Sequence, residues 1–141
     1  MWHYDLEQRK DLGERRTATV ASLAPLYIAG RLGNPALEVI VDATLGSLVR
    51  VRLHAGQMDP RSGRKVEARV DDGDPLVVPA SHPEGEDAVL SLRKPRELIA
   101  AIASGRMLYL RVPVYQQGEV KMAFDIGGLD QTRLKVAPLA A

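Results

Sequence analysis

The sequence predicts a mainly β domain, α+β at most: an antiparallel β-sandwich or curled sheet with two short helices in its C-terminal half. Three observations lead there. Apolar residues recur at every second position in several segments, the spacing by which a strand buries one face. Gly, Pro and Asp clusters separate those segments. Helical spacing appears only in two short, late stretches.

Trp2 to Leu6 reads as a short first strand and Arg16 to Leu23 as a second, followed by an irregular stretch through Pro25, Gly30, Gly33 and Pro35. Leu37 to Ala43 is rich in β-branched residues and only partly alternating, as expected of a strand covered on both faces or near a sheet centre. Leu45-Gly46-Ser47 turns the chain. Val49, Val51 and Leu53 then alternate with Arg50, Arg52 and His54, and Val66, Ala68 and Val70 with Lys65, Glu67, Arg69 and Asp71. The turn-rich stretch between them, through Arg61, Ser62 and Gly63, predicts that these two strands form an antiparallel hairpin.

Asp72-Gly73 suits a tight reversal into Leu76, Val77 and Val78, which Pro75 and Pro79 restrict to a short or edge strand. After the loop Ser81 to Glu86, Ala88 to Leu92 forms a further short strand. Pro95 through Ser104 carries Leu98, Ile99 and Ile102 at helical spacing, with Pro95 in the first turn and Gly105 as the stop. Met107 to Tyr115 and Val120 to Ile126 make a second hairpin, whose apolar positions are core. Gly127-Gly128 leads into a brief helix closed by Pro138.

At 141 residues the chain is read as one β-rich domain, 1–141, and its 45% hydrophobic content can fill a core without a metal or disulfide staple. It contains no cysteine, which excludes disulfides, thiol nucleophiles and Cys-type metal sites. With 19 Lys and Arg against 18 Asp and Glu, and 4% aromatics, neither a broad basic field for duplex nucleic acid nor a base-stacking surface is expected. No apolar run approaches the roughly 18 residues of a membrane-spanning helix. The first seven residues lack a basic region followed by an apolar one.

Motifs for chemistry are sparse. His3, His54 and His82 lack the spacing that puts two imidazoles on one element, so no metal and no cofactor is expected, although His54, Asp59 and His82 could in principle meet in space. Ser62 and Ser81 sit outside any nucleophile elbow. The pair Glu84 and Glu86 and the cluster Asp71, Asp72 and Asp74 read as turn chemistry, and the latter lacks the calcium-loop spacing. Gly127-Gly128 falls short of a phosphate-binding pattern. What stands out is a basic strand face, Arg50, Arg52, Lys65 and Arg69, diluted by Glu67 and Asp71. It could receive an acidic protein surface, a lipid head group or a polyanionic glycan.

The order of a Trp near the start, paired strands, the helix Leu98 to Gly105, a strand, a Gly-containing turn and the strand running from Phe124 to Gly128-Leu129 resembles bacterial cell-envelope β domains. These are of the type VI secretion accessory protein and invasion-associated locus B kinds. The resemblance implies an exported, envelope-associated interaction domain rather than an enzyme, and supplies no catalytic residue. The expectation is therefore a non-enzymatic accessory or protein-binding domain, periplasmic or secreted, with the cytoplasm as the alternative location. Its partner would be a protein of the envelope, bound through Arg50, Arg52, Lys65 and Arg69. Two competing expectations are a small-ligand or glycan module with a pocket between loops Tyr27 to Pro35 and Ser81 to Glu86, and a hydrolase assembled around His82.

Overall fold

The computed structural model describes residues 1–60 and 65–137. In chain order the elements are strands β1 (His3–Arg9), β2 (Gly13–Ala21), β3 (Leu26–Ile28), β4 (Arg31–Gly33), β5 (Ala36–Asp42), β6 (Gly46–Arg52), β7 (Lys65–Val70), β8 (Leu76–Ser81) and β9 (Val89–Leu92), helix α1 (Pro95–Ser104), strands β10 (Met107–Val114) and β11 (Gly118–Asp125), and a 3-10 turn, Gln131–Leu134. The turn read at Arg61, Ser62 and Gly63, and the stop assigned to Pro138, lie outside the described residues.

Among the described residues nine strands form one antiparallel sheet in the order β1-β2-β5-β6-β9-β8-β7-β10-β11, and β3 and β4 pair separately. The sheet is open, with no ladder joining β1 to β11. Its ends nevertheless approach: Trp2 Nε1 donates to the Ile126 carbonyl at 3.1 Å, and the Leu23 amide to the Ala123 carbonyl at 2.9 Å. The sheet therefore curls around one core. Every second residue supplies that core: Ala18 and Val20 from β2, Leu37 and Val39 from β5, Val49 and Val51 from β6, Val66 and Ala68 from β7, and Leu108 to Phe124 at alternating places on β10 and β11. Helix α1 adds Leu98 and Ile102 to the same cluster.

Several expectations need correction. The Val49–Leu53 and Lys65–Val70 strands do not form a hairpin: β6 pairs with β5 and β9, and β7 with β8 and β10. The intervening chain crosses from one part of the sheet to another, with Leu53 and Met58 amides bonded to the Ala88 and Asp87 carbonyls and the Asp59 amide to the Pro113 carbonyl. This crossing lets Val49 and Val51 oppose Leu92 and Leu90, so that apolar faces meet.

Strand β8 lies inside the sheet, not at its edge. It tolerates proline by changing partners, pairing with β7 from Leu76 to Pro79 and with β9 at Ala80 and Ser81. The positive φ of the reversal that leads into β8 belongs to Asp71 rather than Gly73, and the Asp71 carboxylate accepts the Arg106 and Met107 amides at 3.1 and 2.9 Å. The irregular stretch after β2 contains the β3–β4 hairpin. Of the two helices expected, α1 is a helix and the second is one 3-10 turn, capped by the Asp130 side chain on the Thr132 amide.

Candidate functional site

Strands β7, β10 and β11 turn one row of side chains inward and the other outward, and the outward row is polar. Register sets the rows: Glu67 lies opposite Arg111 and Arg111 opposite Lys121, while Arg69 lies opposite Tyr109 and Tyr109 opposite Ala123. The carbonyls of Met107 and Pro113 point away from β11, to the Asp71 and Asp59 amides, and that of Ala123 points away from β10 to Leu23. Odd-numbered residues therefore form the non-hydrogen-bonded pairs of the β10–β11 ladder, where facing side chains are closest. Arg111 and Lys121 are such a pair. Like charges directly opposite each other destabilise a sheet.

Over this face lies a cleft of about 450 Å³. Its floor is Arg69, Tyr109, Arg111, Lys121 and Ala123, with Glu67 at one side. One wall is the segment after β2, where Leu23 and Leu26 face in, anchored by the Leu23–Ala123 hydrogen bond. Pro75, in the β7–β8 loop, closes another side. The Arg69 guanidinium sits 4.6 Å from the Tyr109 ring centroid, a cation–π contact that orders both groups. Among the described residues, Arg69, Arg111 and Lys121 form no ion pair with Glu67 or any other carboxylate. Leu23 and Val77 are more than half exposed beside this face.

The four cations read from sequence separate into two groups. Lys65 and Arg69 lie on the outward row of β7, and Arg69 lines the cleft. Arg50 and Arg52 lie on β6, in the other half of the sheet, and meet carboxylates there rather than Glu67 and Asp71. Arg52 pairs with Glu38 at 3.4 Å and Glu86 at 3.6 Å, and Arg50 approaches Glu86 at 3.9 Å. Arg50 and Glu38 are register partners across β5–β6, although the Glu38 carboxylate goes to Arg52.

The outer face of β2 and β5 is neutralised in the same way. Asp42 has no exposed side-chain surface and receives Arg9 at 3.0 Å and Arg15 at 2.7 Å. Burial pushes its carboxyl up, but hydrogen bonds from Arg9, the Leu45 amide, Arg15 and the Thr44 amide outweigh that and hold it well below the usual carboxylate range.

The histidines are dispersed. His82 Nε2 lies 2.9 Å from the Asp59 carbonyl and Nδ1 3.3 Å from that of Val89, so both ring nitrogens face backbone. His54 Nε2 instead faces the Arg31 carbonyl at 3.0 Å. Among the described residues no three His, Asp or Glu side chains are grouped to hold a metal. Loop Tyr27 to Pro35 is largely the β3–β4 hairpin, and neither it nor loop Ser81 to Glu86 lines the cleft. At Gly127-Gly128 the Gly127 amide is taken by the Asp125 carboxylate at 3.1 Å.

Tyr109, Arg111 and Lys121 are not marked in the sequence, where the dominant pattern of their hairpin is its alternating apolar residues. The signal was there in the alternate positions: once Val112 faces Val120, Arg111 must face Lys121.

The sequence matches no protein-family model and no curated protein. Among solved structures it is similar to invasion-associated protein B from Bartonella henselae, at 15% identity and a TM-score of 0.55, over 90% of this chain and 85% of that one. The likeness is one of fold, and it extends the resemblance carried by Leu98 to Gly105 and Phe124 to Leu129 across most of the chain.

Proposed function

We propose that this protein is a non-enzymatic binding domain of the bacterial cell envelope, periplasmic or secreted, that holds a protein partner on the outward face of β7, β10 and β11. One observation carries the binding site: Arg111 and Lys121 face each other on the floor of a cleft without an ion-pair partner among the described residues, whereas Arg9, Arg15, Arg50 and Arg52 all have carboxylates. Lys121 lies on the edge strand β11, where a lysine also guards against edge-to-edge pairing, but edge protection does not call for Arg111 directly opposite it on the inner neighbour β10. An anion from outside relieves their repulsion. Arg69 and Lys65 extend the same face, which keeps half of the basic set read from the sequence. The envelope assignment is supported by the fold shared with invasion-associated protein B.

The test is photo-crosslinking in bacterial cells that express the full gene, with a photoreactive phenylalanine at Tyr109 and, as control, at the exposed Arg96 on α1. Envelope-fraction adducts from position 109 only, lost with Arg111→Glu and Lys121→Glu, are expected. Cytoplasmic retention of the protein, or equal adducts from both positions, overturns the reading.

A further inference from the structure

Resting on that reading, we propose the chemistry of what the cleft holds: an extended acidic segment of the partner, with one carboxylate seated between Arg111 and Lys121 and a neighbouring apolar side chain against Leu23, Leu26 and the Tyr109 ring. The argument begins with charge. Arg111 and Lys121 are adjacent across the ladder, and Arg69 stands one row away, stacked on Tyr109. A carboxylate has two oxygens, one suited to a guanidinium fork and one to an ammonium, and such charge-assisted bonds are about twice as strong as neutral ones. Glu67, opposite Arg111, is the cleft's own carboxylate, and it forms no ion pair among the described residues. It leaves three cations to one anion.

Shape and apolar surface narrow the class. The cleft, at about 450 Å³, is at the lower end of the range for small-ligand pockets, about 300 to 1,000 Å³, which suits an acidic side chain and one neighbour rather than a folded surface. Its wall of Leu23, Leu26 and Pro75 places apolar surface directly beside the charges. A phosphate polymer needs a track of cations rather than one charged spot with a greasy wall, and it gains nothing from that wall. A peptide in which Glu or Asp alternates with Leu or Phe uses both.

The experiment titrates the isotopically labelled full chain with acetyl-Gly-Glu-Phe-Glu-Leu-Gly-amide, with the same peptide carrying Gln at both Glu positions, and with inorganic polyphosphate. Amide shifts are followed by NMR. The acidic peptide should give saturable shifts centred on Tyr109, Arg111, Lys121 and Ala123. The Gln peptide should bind roughly tenfold more weakly or worse, the loss expected when a charged hydrogen bond is removed. Arg111→Gln and Lys121→Gln should each weaken the acidic peptide similarly, while Arg96→Glu leaves it unchanged. Because neutralising Lys121 removes a like-charge contact, Lys121→Gln should also raise the melting temperature, so weaker binding cannot be ascribed to misfolding.

Equal binding of the acidic and Gln peptides, shifts centred elsewhere, no shifts with either peptide, or tighter saturable binding of polyphosphate at the same residues would each overturn the proposal. Adducts at Tyr109 in cells alongside any of these results would leave the binding-domain reading standing and remove only the acidic-segment assignment. Peptide binding at the cleft without envelope adducts would do the reverse.

Discussion

Arg15 Nε donates to Asp42 Oδ2 at 2.7 Å across the β2–β5 pair, and Arg9 reaches the same oxygen at 3.0 Å from β1. The other oxygen, Oδ1, accepts the Thr44 and Leu45 amides at 2.7 and 2.9 Å and closes the turn into β6, where Gly46 takes a positive φ. One buried carboxylate thus ties three strands and a turn. Asp42→Asn keeps an acceptor for the turn but strands two arginines, so the variant should lose about 3 kcal/mol near neutral pH, the lower end for breaking a buried pair.

The sign of the pH dependence follows from the depressed carboxyl of Asp42 in the folded state. Its contribution is complete above the ordinary carboxylate value of about 4 and is lost as pH falls below that toward the lower folded value. Urea midpoints of the wild type and Asp42→Asn should therefore converge in strong acid and separate on the way to neutrality. A gap that does not change with pH would contradict this account.

Trp2 is buried, and its indole N–H meets the Ile126 carbonyl at 3.1 Å, joining the chain before β1 to the chain after β11. Tyr4 adds to the junction: its hydroxyl accepts the Asp130 amide at 2.9 Å, and Arg133 stacks over its ring at 3.9 Å. Trp2→Phe removes the donor and leaves a buried carbonyl unpaired as well as a small void. A loss of about 2 to 3 kcal/mol is expected, read by circular dichroism in urea. An unchanged midpoint would show that the curled sheet does not depend on this link.

His82 spans the Asp59 and Val89 carbonyls and so fastens the crossing segment to β9. His82→Ala should cost about 1 to 2 kcal/mol and speed hydrogen exchange at Met58 and Asp59 more than at the β10–β11 ladder. Uniform acceleration over the whole sheet would instead mean that the link acts only on global stability.

Much of the strand layout was legible because alternation is local. Val49, Val51 and Leu53, or Leu108, Leu110 and Val112, announce a buried face without knowledge of its partner. Helix α1 was legible to the residue, since Pro95 and the Leu98, Ile102 spacing mark its start and face. Partner choice was not, because β6 and β7 carry the same pattern that any two half-buried strands carry. Their separation by β9 and β8 depends on where the chain from Leu53 to Pro60 travels, and no periodicity records that.

The candidate site shared this fate. Arg69 stands out in the sequence because it lies on a plainly alternating strand, whereas Arg111 and Lys121 are a pair only through register. In sequence Arg50 and Arg52 are indistinguishable from Arg69, and only Glu38 and Glu86, brought close by β5 and the loop before β9, give them carboxylates that Arg69 lacks among the described residues.

Gly105 follows the last residue of α1, as the sequence predicts, and it does so without a left-handed backbone: its φ is −98°, a value open to any residue. What it needs is room: a Cβ there would collide with Val70 Cγ1 and come within 3.2 Å of Ile126 Cδ1. Gly105→Ala should therefore cost about 1 to 3 kcal/mol through overpacking where α1 meets the ends of β7 and β11. Gly46→Ala, with open space and φ +80°, should cost about 1 kcal/mol from backbone strain alone. Val70→Ala separates the two causes, because it makes space at Gly105 and none at Gly46. The double variant Gly105→Ala with Val70→Ala should be less destabilised than the sum of its parts, while Gly46→Ala with Val70→Ala should be additive. Additivity at both positions in urea unfolding would mean that the crowding at Gly105 is relieved by some movement other than that of Val70.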